Sequence, residues 1–111
     1  MNIFKRIQAS LRYREAVRQA DKAHKETGER YYVMPVSGVK GQLIIMDRRN
    51  FRMLKHKHYI GKTSRIKHLE EECFYCTAYR NGSGELTPAE KEQRRELYFS
   101  WVKAIGKMKK K

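Results

Sequence analysis

Between residues 48 and 62 the chain reads Arg-Arg-Asn-Phe-Arg-Met-Leu-Lys-His-Lys-His-Tyr-Ile-Gly-Lys, with six cations and no acid. Placed on a helix, Arg48, Arg52 and Lys55 form one stripe flanked by Arg49 and His56, while Phe51, Leu54 and His58 face the other way. Such a helix buries one side and offers a row of cations on the other. Guanidinium forks match phosphate oxygens and ammonium groups add point charge, so the chemistry on offer is anion binding. Lys57 and Lys62 extend the row, and Tyr59 is placed to stack on a base. Lys103, Lys107, Lys109, Lys110 and Lys111 repeat the theme at the far end. A lysine or two there also meets the dipole of a helix C-terminus. The plain alternative for both segments is a solvated basic surface.

Whole-chain charge agrees with that chemistry. Twenty-six Lys and Arg stand against 12 Asp and Glu in 111 residues, a formal net charge of +14. Like charges repel in the compact state, so an imbalance of this size is easiest to understand when an anion neutralises part of it. Residues 29–62 are densest, with eight basic and two acidic side chains, whereas 63–82 balance. Nucleic acid is the expected partner. An acidic protein or a second copy of the chain are the others.

The remaining reactive residues point away from catalysis. Cys73-Phe74-Tyr75-Cys76 is a lone C-x-x-C. A redox pair belongs at a helix N-terminus, where the dipole lowers the thiol pKa. Here the pair is expected in the middle of a helix, after Glu70-Glu71-Glu72, which raises it. A zinc site needs two further ligands, for which His56, His58 and His68 are the candidates. The simpler expectation is two small buried residues on the core face of a helix, with no metal and no cofactor. His24 falls on an apolar helix face and reads as core-lining. Glu70, Glu71 and Glu72 read as a solvated face or as ion-pair partners for Arg65 or Lys67. No nucleophile elbow, phosphate loop or metalloprotease motif occurs, so no enzyme is expected.

The elements that must position these residues follow from pattern. Residues 3–27 read as helix, stopped by Gly28. Its apolar stripe changes sides: Phe4, Ile7 and Leu11 cluster opposite Tyr13, Ala16, Val17, Ala20 and His24. Either the helix breaks near Ser10, or its first turns dock on a partner through Phe4, Ile7 and Leu11. Residues 30–37 and 42–47 read as a hairpin about Gly38-Val39-Lys40-Gly41, and Pro35 makes the first strand an edge or a bulge. Asp47 caps a short helix over 48–57. A helix from Thr63 or Ser64 to about Tyr79 follows, and then an Asn81-Gly82-Ser83-Gly84 loop. Thr87-Pro88-Ala89-Glu90 opens a last helix to about Lys107 through a capping box and an N1 proline, with Leu97, Trp101, Ala104, Ile105 and Met108 on one face. The paired aromatics Phe74-Tyr75 and Tyr98-Phe99 imply burial on two sides or an exposed interface. The order α-β-β-α-α-α gives a helix-dominated α+β domain over residues 1–108 with a basic tail at 109–111.

No apolar run is long enough to span a membrane. Met1-Asn2-Ile3-Phe4-Lys5-Arg6 has no signal-peptide core. With two cysteines, the expectation is an intracellular protein with reduced thiols.

The stretch Gly28-Glu29-Arg30-Tyr31-Tyr32-Val33-Met34-Pro35, with Leu43-Ile44-Ile45-Met46-Asp47-Arg48-Arg49-Asn50-Phe51-Arg52-Met53-Leu54-Lys55, resembles small uncharacterised basic proteins of gut anaerobes and their phages or mobile elements. The resemblance implies such an origin and carries no functional residue. The leading expectation is therefore a non-enzymatic nucleic-acid-binding accessory protein. The rival is a protein-interaction or structural component, of a virion for example.

Overall fold

The structure, a computed structural model, describes residues 3–36, 41–57 and 65–108, with side chains described only as far as Ile105 at the C-terminal end. The order is α1 (Ile3–Thr27), β1 (Tyr32–Pro35), β2 (Leu43–Met46), α2 (Arg48–His56), α3 (Ile66–Glu72), β3 (Tyr75–Cys76) and α4 (Pro88–Met108). The architecture is α+β and helix-dominated, with a small antiparallel sheet in the order β2-β1-β3. Helix α1 packs on β1 and β2, α3 packs on β1, and α4 packs on α1 and β3.

Helix α1 is continuous through Ser10. It buries Ala9, Tyr13, Ala16 and Ala20, one residue per turn, and leaves Phe4 at 76% exposure with Ile7 and Leu11 also exposed. The change of face therefore does not mark a break. Gly28 ends the helix with φ +78° and donates its N–H to the His24 carbonyl at 2.7 Å. Half-buried His24 in turn holds the Glu29 carbonyl through Nδ1 at 2.7 Å.

The hairpin pairs Tyr32 with Met46 and Pro35 with Leu43. Strand β1 is central rather than an edge, which corrects the reading of Pro35. Strand β3 pairs only with Tyr32 and Val33, so the residue without an N–H lies beyond its reach.

The expected helix from residue 63 to 79 is corrected more substantially. Thr63 and Ser64 lie outside the described residues. Helix α3 begins after Arg65, whose N–H donates to His68 Nδ1 at 2.9 Å, and ends at Glu72. Three consecutive glutamates at a helix C-terminus oppose the dipole. Cys73 then turns extended (φ −67°, ψ 150°), and an aromatic and β-prone run joins the sheet. Phe74 N–H donates to the Val33 carbonyl at 2.9 Å and Thr77 N–H to the Tyr31 carbonyl at 3.0 Å.

Tyr98 sits at the centre of the core. Its ring stacks on Tyr13 at 5.5 Å and meets Phe74 edge-on at 5.3 Å, and its hydroxyl donates to the Gly41 carbonyl at 2.6 Å. Phe99 is buried too, beneath the guanidinium groups of Arg6 and Arg95. The doubled aromatics of α4 are thus buried on two sides. Leu97, expected on the core face, is exposed instead. The helix is turned so that its larger aromatic surfaces are covered.

Among the described residues no helix is long and apolar enough to cross a membrane.

Candidate anion-binding cleft

Helix α2 forms as its sequence requires. Asp47 Oδ1 accepts the Asn50 N–H at 2.7 Å, and Phe51 is buried beneath the helix. Arg49, Arg52, His56 and Lys57 are exposed, while Arg48 and Lys55 are half-buried. None of Arg48, Arg49, Arg52, Lys55 and Lys57 forms an ion pair among the described residues. The cationic row stands without internal neutralisation. Lys62, Lys109, Lys110 and Lys111 lie outside the described residues, as does the side chain of Lys107 in the last turn of α4.

Arg48 differs from the rest of the row. Its guanidinium carbon lies 5.6 Å from the centre of the Tyr79 ring, and that of Arg30 lies against the same ring at 4.1 Å. The Tyr79 hydroxyl donates to Glu70 Oε1, which also accepts from Tyr32 at 3.2 Å. Glu70 is therefore neither a solvated face nor a partner for Arg65 or Lys67. It fixes the tyrosine against which two arginines rest. The bond to Glu70 and burial hold the Tyr79 phenol above its ordinary pKa.

These groups line an open cleft of about 670 Å³ with Glu29, Arg80, Asn81 and Ser83. Arg80 is exposed, pairs with Glu29 at 2.5 Å, and donates to the Thr27 carbonyl at 3.2 Å. Asn81 Oδ1 accepts from both the backbone N–H and the hydroxyl of Ser83, at 3.0 and 2.7 Å. Three arginines from three separate parts of the chain thus line one space, with Glu29 the single carboxylate among its described lining residues.

Arg30 is the unusual member. It is only 9% exposed, yet it forms no ion pair among the described residues. One Nη donates to Cys76 Sγ at 2.9 Å, and the buried Nε–H finds no acceptor among the described residues. A buried charge without a carboxylate is costly and draws negative charge toward it. The cysteines supply some. The Cys76 thiol is lowered, to about 6, by a hydrogen bond from Cys73 and by the Arg30 guanidinium, against its own burial. The Cys73 thiol is raised by the same shared proton and by burial. Arg94 donates to the Cys73 carbonyl at 2.6 Å and lies 3.3 Å from its sulfur.

Both cysteines are buried as expected, but at a helix-to-strand junction rather than on a helix. Among the described residues no group of three or more His, Cys, Asp or Glu gathers to hold a metal. His68 is occupied as the cap of α3, and His58 lies outside the described residues. The two sulfurs face guanidinium groups, an environment that favours an anion over a cation.

No family model, curated protein or solved structure matches this chain.

Of the residues singled out by sequence, only Arg48 belongs to the cleft. Arg30, Tyr79 and Arg80 were missed, and Glu70 was assigned another role. No local signal marks them, because Arg30 and Arg48 rest on the Tyr79 ring, far from either in sequence, and not on an adjacent aromatic.

Proposed function

We propose that the protein is a non-enzymatic nucleic-acid-binding accessory protein that contacts the sugar-phosphate backbone through the cleft and the exposed side of α2. The observation that carries this reading is the continuity of the two through Arg48. Arg48 lines the cleft, Arg52 follows one turn along the helix, about 6 Å away, and Arg49, Lys55 and His56 lie alongside. Asp47, the nearest acid in sequence, is engaged in capping. Phosphate contacts of this kind position a protein on nucleic acid and do not read its sequence.

The test is a charge reversal, Arg49→Glu with Arg52→Glu and Lys57→Glu, in chain freed of nucleic acid by nuclease. Fluorescence anisotropy with a labelled oligonucleotide should show binding by the parent and none by the variant, with an unchanged circular dichroism spectrum. Equal binding by both would refute the proposal.

A second reading rests on a different observation. Ile3, Phe4, Ile7 and Leu11 lie exposed along the first turns of α1, and contiguous exposed apolar surface marks interaction sites. On that reading the chain is a structural or adaptor component. Light scattering after nuclease treatment separates the two. A nuclease-sensitive high-mass species with raised absorbance at about 260 nm supports backbone binding, and a nuclease-resistant oligomer supports docking through α1.

A further inference from the structure

We infer that the solvent side of α1 is a docking seam for an acidic amphipathic helix of a protein partner. The inference rests on the reading of the first turns of α1 as an interaction surface and needs no nucleic acid. Opposite the buried residues Ala9, Tyr13, Ala16 and Ala20, Phe4, Ile7, Leu11, Arg14, Arg18 and Lys25 follow one another at spacings of three, four, three, four and seven residues. That is the spacing of a heptad seam, about 30 Å long. All six are exposed. The first half of the seam is apolar and the second half cationic, on one line along the helix.

The cationic half is not neutralised from within. Arg14 and Lys25 form no ion pair among the described residues, and neither does Lys22 beside them. Of the adjoining acids, Glu15 is held by Arg18 at 2.5 Å, and Asp21 accepts the Tyr75 hydroxyl at 2.6 Å. Alongside the seam, Ser10, Tyr13, Arg14, Val17 and Arg95 line a groove of about 220 Å³ between α1 and α4, with no carboxylate among its described lining residues. Arg95 reaches Glu92 only at 3.7 Å. A carboxylate on a helix laid along the seam therefore meets Arg14 and Arg95 on that flank.

Charge selects the occupant. Interfaces juxtapose complementary potentials, so the partner must offer apolar residues along one half of its face and carboxylates along the other. A helix does this with the same spacing, its anchors falling at i, i+3, i+4 and i+7. A second copy does not. In a parallel pair Arg14 and Arg18 meet themselves. In an antiparallel pair over the full seam, Lys25 and Arg18 fall opposite Phe4 and Leu11. Each copy also brings a formal charge of +14. A membrane surface fits no better. A helix lying in a bilayer interface keeps its cations beside the apolar face, where they reach headgroups, whereas here they continue the apolar line.

The experiment uses the full chain, freed of nucleic acid by nuclease, and a labelled synthetic peptide of about four heptads. The peptide carries Leu on the seam of one half and Glu on the seam of the other, and is made in both orders. Anisotropy should show one order binding, and the same peptide with Lys in place of Glu binding at least about tenfold more weakly. Ile7→Gln with Leu11→Gln, both exposed, should abolish binding with an unchanged circular dichroism spectrum. Arg14→Glu with Arg18→Glu should transfer the preference to the Lys peptide, and the α2 charge reversal should change nothing. Equal binding of the Glu and Lys peptides, or loss of binding in the α2 variant, would overturn the inference. Binding of neither peptide would overturn the acidic helix as well. If the chain then forms a nuclease-resistant oligomer or sediments with vesicles of phosphatidylcholine and phosphatidylserine, and Ile7→Gln with Leu11→Gln abolishes this, the reading of α1 as an interaction surface stands, with a second copy or a membrane upon it. A monomer that ignores both peptides and vesicles overturns both.

Discussion

Replacing Arg49 and Arg52 with Gln removes two exposed cations from α2 and leaves Phe51, the Asp47 cap and the cleft in place. The effect on nucleic-acid binding can be worked from the count of available charges. Arg48, Arg49, Arg52 and Lys55 are unpaired among the described residues and share one side of the helix. If each neutralises one phosphate, counterion release gives log K against log salt a slope of about −2.8 for a single strand and about −3.6 for a duplex. Raising salt from about 50 to about 200 mM then weakens the parent by roughly 50- to 150-fold. The double variant keeps two of the four contacts, so its slope halves and the same step costs only about 7- to 12-fold. The assay is a set of anisotropy titrations at several salt concentrations, with thermal melting as a control. Both side chains are exposed, so the melting curve should hardly move. A slope unchanged by the double substitution would refute the placement of the phosphates on α2. So would a loss of affinity with no change in slope, which would signal lost packing rather than lost counterion release.

Further outcomes follow from the cap, the core, the turn and the thiols. Thr87→Ala removes the hydroxyl that accepts the Glu90 N–H at 3.2 Å and should cost about 1 kcal/mol in denaturant unfolding, while Thr87→Gly costs a few tenths. Tyr98→Phe leaves the Gly41 carbonyl without its 2.6 Å donor and should cost about 1–3 kcal/mol, read as a melting point several degrees lower. Gly84→Ala meets both a positive φ and the Arg30 guanidinium. It should lose about 1–2 kcal/mol from the backbone alone and should also move the Arg30 Nε–Hε resonance. The Cys76 thiol has its folded pKa lowered from the ordinary thiol value of 9.0 to about 6, so its contribution to stability is full above pH 9 and is lost as pH falls through 6. The parent should therefore gain stability from pH 6 to pH 8 relative to Cys76→Ser, and parallel curves would refute a thiolate at that position.

Local rules recovered most of the framework. The Gly28 stop, the Asp47 cap and the Thr87–Glu90 box each engage backbone within a few residues, so a short stretch of sequence contains the whole interaction. The opposed faces of α1 were legible because Tyr13, Ala16 and Ala20 recur at helical spacing. Strand β3 was not. Cys73, Phe74, Tyr75, Cys76 and Thr77 are all buried, and a run covered on both sides has no alternation to announce a strand. Ile66, Leu69, Cys73 and Cys76 meanwhile kept helical spacing by coincidence. The cleft was hidden for a related reason. Arg30, Arg48 and Arg80 come from separate parts of the chain, and Arg80 lies in the one segment whose charges balance. Net charge along the sequence identified α2, but only the three-dimensional fold brings Arg30 and Arg80 to its end.

Arg30 is where the core and the cleft meet, and its position makes them interdependent. Its Nη holds the Cys76 sulfur inside, while another part of the same residue lines the cleft. A buried guanidinium carries one charge, and the thiolate and a bound phosphate would both be stabilised by it. Each anion therefore reduces what the other gains. By linkage the effect is reciprocal: phosphate in the cleft raises the Cys76 pKa back toward its ordinary value, and a thiolate at Cys76 weakens the phosphate. The Cys73–Cys76 hydrogen bond bears on this balance as well, because it determines how much negative charge sits on the sulfur facing Arg30. The C-x-x-C motif, which as a sequence feature looked like neutral core, thus sets the electrostatics of the wall of the cleft. Substituting Cys76 with a neutral residue would leave Arg30 with less compensation inside and a stronger pull on an anion outside.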